Sequence, residues 1–403
     1  MHPYRFDFKV FSLLLIGFLL GSCDSDTNPS TEAPNFEALE DYSYVATHTE
    51  NTLEQLYNLT LGTVSSTLDW EHIELYKITY QTQTFAGEAV IASGLLLLPE
   101  EFNEAHPLIS LQHGTQLSDS QAPSTANLFN SETAIGALLA GQGFAVVMPD
   151  YLGYQSSNQL PHPYEEQSTL GQTTYDMLRA CRELIAHLSH TLDNRLYLVG
   201  YSEGGYATMA LHRKIESENT YSVTHSFPAA GAYNKTAFSQ AVLQRDENLP
   251  FMATYLWVLS TYNNLYPQLN RPWNTIVQDP YVRLMETFNP LGPQASDLIQ
   301  IPQNPQQLFQ PEFIQGVVEG TDTAFMEVLA ANDNFDWAPQ APITLYHGTE
   351  DTFVWPLNSQ TAFDAMQQRG ATVNYVELEG GDHGSSVGPY IQAVFSQLLG
   401  ELD

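Results

Sequence analysis

The sequence predicts an α/β fold built on a mostly parallel sheet, and three observations carry that prediction. Short β-branched and aromatic runs alternate with amphipathic stretches from about residue 70 to the end of the chain. A glycine-flanked serine, Ser202 in LVGYSEGGYATMA, falls where one such run gives way to a helical pattern. A segment of about a hundred residues, from Asn234 to Pro339, interrupts the alternation; loops are far shorter, so it must carry structure of its own. Strand, helix and strand at this spacing imply right-handed crossovers and a sheet covered on both faces. Ligands on such sheets bind beyond the carboxyl ends of the strands.

The first residues stand apart from the fold. MHPYRFDFKVFSLLLIGFLLGSC has Arg5 and Lys9, then an apolar stretch of about eleven residues from Val10 to Leu20, then small residues before Cys23. This is the pattern of an export signal over 1–22, and it is short for a membrane-spanning helix. The ending LGSC resembles the lipobox of bacterial lipoproteins, which implies that Cys23 carries acyl chains and attaches the protein to a membrane. The aspartates that follow resemble a surface-export signal of some Gram-negative bacteria, so the expected location is outer-membrane or cell-surface. Residues 23–45, polar and acidic with two prolines, read as a flexible tether, and 46–403 as the folded domain.

Within that domain IELYKITYQ and EAVIASGLLLLP read as a first, antiparallel pair of strands. HPLISLQHG, GFAVVMPD, RLYLVGYS, VTHSFPAAGA, APITLYHG and ATVNYVELEG follow. Helical patterns lie near 125–140, 166–190, 203–217, 359–369 and 389–402. The insert at about 234–339 is rich in aromatic residues and reads as a cap with its own core, placed to contact substrate. Tyr151, Trp257, Tyr262 and Trp355 are the expected substrate-binding side chains.

Composition bounds the function. The 403 residues suffice for one large domain, and 43 % hydrophobic content makes it globular. With 13 Lys+Arg against 46 Asp+Glu the formal charge is −33, a surface that repels nucleic acid. Beyond Cys23 the only cysteine is Cys181, in an amphipathic pattern, so no disulfide framework is expected. No histidine pair has the spacing of a helical metal site, and neither metal nor cofactor is expected.

Ser202 follows RLYLVGY and precedes a proline-free helical pattern, which puts it on a sharp strand-to-helix turn. There its Oγ would stand above the sheet at a helix N-terminus that favours an oxyanion. A serine hydroxyl is a weak nucleophile, so it needs a base and a third group to hold that base. His383, in GGDHGSS, and Asp351, in HGTEDTF, both follow predicted strands; Glu350 and Asp382 are the alternative acids. An oxyanion also needs two fixed donors. The N–H of Glu203 is one, and the loop HGTQ at 113–116 offers the other.

Serine, acid and histidine in that order resemble an α/β-hydrolase of the lipase and esterase type over about residues 70–400. The strings HGTED and GDHG match that superfamily's acid and base loops. The resemblance implies Thr115 N–H as the second oxyanion donor, with Gln116 the alternative and His113 pinning the loop. More loosely, the HGTQ segment, VVMPDYLGY and the aromatic insert resemble the secretory lipases and their bacterial relatives. The implied activity is carboxylic ester hydrolysis through an acyl-enzyme. A serine peptidase of the prolyl-oligopeptidase type shares the triad but usually carries a long amino-terminal propeller, against which the about 45 residues between Cys23 and the first strands argue; acyl-peptide hydrolysis stays open. An acetyl or feruloyl esterase acting on polysaccharide fits as well. An inactive binding module would have lost a triad residue, and none is missing.

Overall fold

The computed structural model describes residues 36–62, 68–100, 105–287 and 301–402, which belong to one compact unit. The stretch read as an export signal, 1–22, and Cys23 lie outside the described residues. Among the described residues nine strands form a single sheet in the order β1-β2-β3-β5-β4-β6-β7-β8-β9. Their ranges are β1 Leu39–His48, β2 Ile73–Gln83, β3 Ala89–Pro99, β4 His106–Gln112, β5 Ala145–Pro149, β6 Leu192–Tyr201, β7 His225–Ala229, β8 Ile343–Gly348 and β9 Val373–Leu378. The first three pair antiparallel, β3 meets β5 antiparallel, and every pair from β5 through β4 to β9 is parallel. Strands buried on both faces read as continuous apolar runs, and β5, AVVMP, is buried at all five positions.

One expectation needs correction. Residues 39–45, taken for tether, are the first part of β1, which pairs along β2 from Leu39↔Tyr80 to His48↔Ile73. Its side chains are mostly exposed, so no alternating apolar pattern advertised it. A helix, α1 Glu50–Thr60, follows. It buries Leu53 and Leu56 against α2, Ser131–Ala140, and the carboxyl-terminal helix α12, Val387–Gly400. The opposite face is covered by α3 Gln167–His187, α4 Glu203–Glu218 and α11 Leu357–Gln368.

The site position follows from the strand order. From β4 the chain crosses through α2 to β5 on one side, while β6 lies on the other side of β4. This is a topological switch point, where the loops leaving β4 and β6 diverge and open a crevice. Between β7 and β8 the chain builds α5 Lys235–Leu243, α6 Met252–Leu265, α7 Tyr281–Thr287, α8 Pro305–Leu308, α9 Pro311–Val318 and α10 Thr323–Ala331. Leu256, Trp257, Phe313, Val317, Phe325 and Val328 are among the side chains of a core belonging to this cap.

Candidate active site

Ser202 occupies the turn between β6 and α4 with φ 60° and ψ −123°, a conformation costly for a residue with a Cβ. The flanking glycines supply room rather than positive φ. A Cβ on Gly204 would stand 2.2 Å from the carbonyl oxygen of Gln112, and one on Gly205 2.2 Å from that of Ala229. The turn is thus wedged between the ends of β4 and β7, and Ser202 N–H donates to Ala229 O at 2.9 Å. Held this way, Oγ is 2.9 Å from Nε2 of His383.

His383 Nδ1 lies 2.6 Å from Oδ2 of Asp351. The imidazole comes from the loop after β9 and the carboxylate from the loop after β8, two strands in register from Ile343↔Val373 to Gly348↔Leu378. Tyr201 hydroxyl donates to the backbone oxygen of His383 at 2.8 Å and fixes that loop. Asp351 is buried, and its Oδ1 accepts the N–H groups of Phe353 and Val354 at 2.9 and 3.0 Å. Burial alone would push this carboxyl up; hydrogen bonds from His347 and His383, with their charge, outweigh it and set it at about 2. His347 donates to Val354 O at 2.6 Å and also stands 3.3 Å from Asp351 Oδ2. The other acids are elsewhere: Glu350 is exposed, and Asp382 caps its own turn, accepting from Ser385 N–H at 2.7 Å and Gly384 N–H at 3.0 Å.

The loop after β4 runs beside the serine. Gly114 N–H donates to Glu132 Oε1 at 2.6 Å, and a Cβ at Gly114 would be 3.8 Å from Cβ of Ser202. Thr115 lines a cavity together with Ser202 and His383; its hydroxyl is bonded to Tyr164 at 2.7 Å, and its N–H has no partner among the described residues. Gln116 lines the same cavity, but its side chain turns away to Gln121 O at 3.0 Å. His113 braces the loop through contacts with the carbonyls of Gly114 and Asp150 at 2.7 and 3.2 Å. Glu203 begins α4, so its N–H has no intrahelical partner. Its side chain is buried against His162, with Oε1 2.6 Å from Nε2.

Two cavities meet at Ser202. One, of about 780 Å³ including its open mouth, lies under the cap and is walled mainly by apolar side chains of α5 and α6, with Phe353 and Val354. The other, of about 1260 Å³ including its open mouth, lies between the β4 loop, α2 and α12. Of the side chains expected to bind substrate, Tyr262 lines the cap cavity, its hydroxyl donating to Glu165 O at 2.9 Å. The other three line neither cavity. Tyr151 is buried beneath the β4 loop, its ring 4.0 Å from that of His113 and its hydroxyl on His113 O. Trp257 stacks on Tyr164 at 4.2 Å on another face of α6. Trp355 lies under the Arg245 guanidinium at 4.8 Å. Lining residues that sequence reasoning missed are Thr254 and Val258, which fall on one face of α6 with Tyr262, and Phe353, whose ring is 4.7 Å from that of His383. Glu132, His162, Glu165 and Lys235 were missed as well; in NSET, LPHP, PYEEQ and YNKT each stands among polar or turn-forming neighbours, where nothing local marks it as buried.

Such a sheet, with a serine turn after β6 and a cap after β7, defines an α/β-hydrolase. The secretory lipase family profile matches residues 116–387, and the chain belongs to that family, a family of ester hydrolases. Among solved structures it is similar to a Legionella pneumophila protein provisionally assigned as a hydrolase, at 25 % identity over 90 % of this chain and 98 % of the other, TM-score 0.79. It is also similar to the rice cell wall degrading esterase LipA of Xanthomonas oryzae, at 26 % identity over 90 % and 96 %, TM-score 0.76. Candida antarctica lipase A, at 16 % identity over 86 % and 77 %, TM-score 0.62, shares the fold. No curated protein matches the sequence.

Proposed function

We propose that the chain hydrolyses carboxylic esters with Ser202 as nucleophile, His383 as base and Asp351 as the group that orients it. The observation that carries this reading is the hydrogen-bonded line from Ser202 Oγ through His383 to Asp351, 2.9 and 2.6 Å, where two cavities meet. His383 Nε2 takes the hydroxyl proton as Oγ attacks the ester carbonyl, and the imidazolium formed is held by the buried carboxylate. Negative charge on the former carbonyl oxygen is accepted by the N–H groups of Glu203 and Thr115, fixed before the reaction begins. His383 then returns the proton to the departing alcohol, leaving an acyl group on Ser202. Water attacks that acyl group through the same base, releasing the acid and free serine. One cavity takes the acyl part and the other the alcohol part.

A panel of p-nitrophenyl esters of graded acyl length, run with feruloyl esters and peptide p-nitroanilides, tests the reading. Ester hydrolysis in the absence of anilide cleavage is expected, and anilide cleavage outpacing every ester would overturn it. The amino-terminal pattern supports export and anchoring by acyl chains on Cys23. Cys23→Ser is then expected to leave the membrane fraction with its activity unchanged; retention of that variant on membranes after a salt wash would refute the anchor.

A further inference from the structure

Among the described residues that line the cap cavity, which is mainly apolar, only two carry charge. Lys235, the first residue of α5, and Glu165, in the loop before α3, are both buried and both line the cavity that contains Ser202. Lys235 Nζ donates to Glu165 Oε2 and lies 4.4 Å over the Tyr206 ring. A buried ion pair adds little to stability, because desolvation of two charges offsets their attraction and apolar residues of similar size serve as well. The cavity hydroxyls of Tyr164, Tyr255 and Tyr262 are bonded to Thr115, Phe353 O and Glu165 O. The pair is less completely engaged. An ammonium has three donors, of which one is used in a hydrogen bond, and Glu165 Oε1 takes no hydrogen bond among the described residues. One turn along α5, Ser239 adds a hydroxyl to the same wall.

Resting on the ester-hydrolase reading, we propose that the pair reads a neutral hydroxyl on the part of the ester lodged in the cap cavity, so that hydroxylated chains are preferred over plain aliphatic ones. A hydroxyl donates and accepts, and so bridges a carboxylate oxygen and an ammonium hydrogen side by side. A carboxylate in its place would meet Glu165 as a like charge. A methylene there would strip both groups of hydrogen-bonding water and return nothing.

Initial rates on two matched series test the proposal with the full chain: methyl octanoate against its analogues hydroxylated at each position from β to ω, and octyl acetate against its hydroxylated analogues. The expected result is a preference of about tenfold in kcat/KM for at least one hydroxylated member. The series in which it occurs identifies whether acyl or alcohol enters the cap. Lys235→Met combined with Glu165→Met, which strands no charge, should reduce that preference below twofold. Equal rates throughout both series in the unmodified protein would overturn the proposal, as would a preference that survives the double substitution. Failure of the underlying reading looks different: no ester in either series would be hydrolysed.

Discussion

Ser202→Ala is expected to lower kcat for ester hydrolysis by about 10⁴-fold or more while leaving the melting temperature within a few degrees of the unmodified protein. The fold should tolerate the change, because the turn depends on the Ser202 N–H bond to Ala229 O and on the absence of side chains at Gly204 and Gly205. None of these involves Oγ, whose one hydrogen bond among the described residues is to His383. Alanine meets the same positive φ as serine, so the backbone cost is common to both. An alanine variant keeping a tenth of the activity would remove Ser202 from the chemistry.

The second large effect is expected at Asp351. Asp351→Asn should lower kcat by about 10⁴-fold, since an amide facing Nδ1 favours the tautomer in which Nε2 carries the proton and cannot accept one from Ser202. Asp382→Asn should change kcat less than threefold, because that side chain is exposed and serves Gly384 and Ser385. The pH profile adds a sign. The Asp351 carboxyl titrates at about 2, below the ordinary 3.8, so its ionised form is present throughout the working range. The stability it contributes is in place above the ordinary carboxylate range and is lost only as pH falls towards 2. The asparagine variant should therefore be slow at every pH rather than displaced along the pH axis. A larger loss for Asp382→Asn than for Asp351→Asn would move the orienting role to Asp382.

What the sequence made legible follows from how locally each feature is encoded. The central parallel strands are buried, so their apolar runs stand out, and β4, β6 and β8 lie where those runs predict. Ser202 directly follows such a run and Asp351 comes just past β8, whereas β9, the edge strand before His383, is partly exposed and shows itself only by its β-branched and aromatic residues; the sheet then brings the three to one edge. By contrast β1 is a mostly exposed edge strand next to a polar leader, and nothing in its pattern separates it from tether. Helix α6, MATYLWVLSTYNNL, is apolar on nearly every face, so its phase against the cavity could not be read. Trp257 therefore looked as good a binding residue as Val258. The supports of the site are harder still. His162 pairs with Glu203 across 41 residues of sequence and Lys235 with Glu165 across 70. Burial of a charge demands a partner, but only the fold says which one.

The central claim is that Ser202 is the acylated group, and covalent labelling tests it most directly. The full chain is treated with an alkyl fluorophosphonate, which mimics the ester carbonyl under attack, and its proteolytic peptides are analysed by mass spectrometry. The account predicts one adduct, on Ser202 in the peptide containing LVGYSEGG, formed in step with loss of esterase activity and absent from Ser202→Ala. Full inactivation with Ser202 unmodified, or an adduct on another residue that tracks the loss of activity, would contradict it.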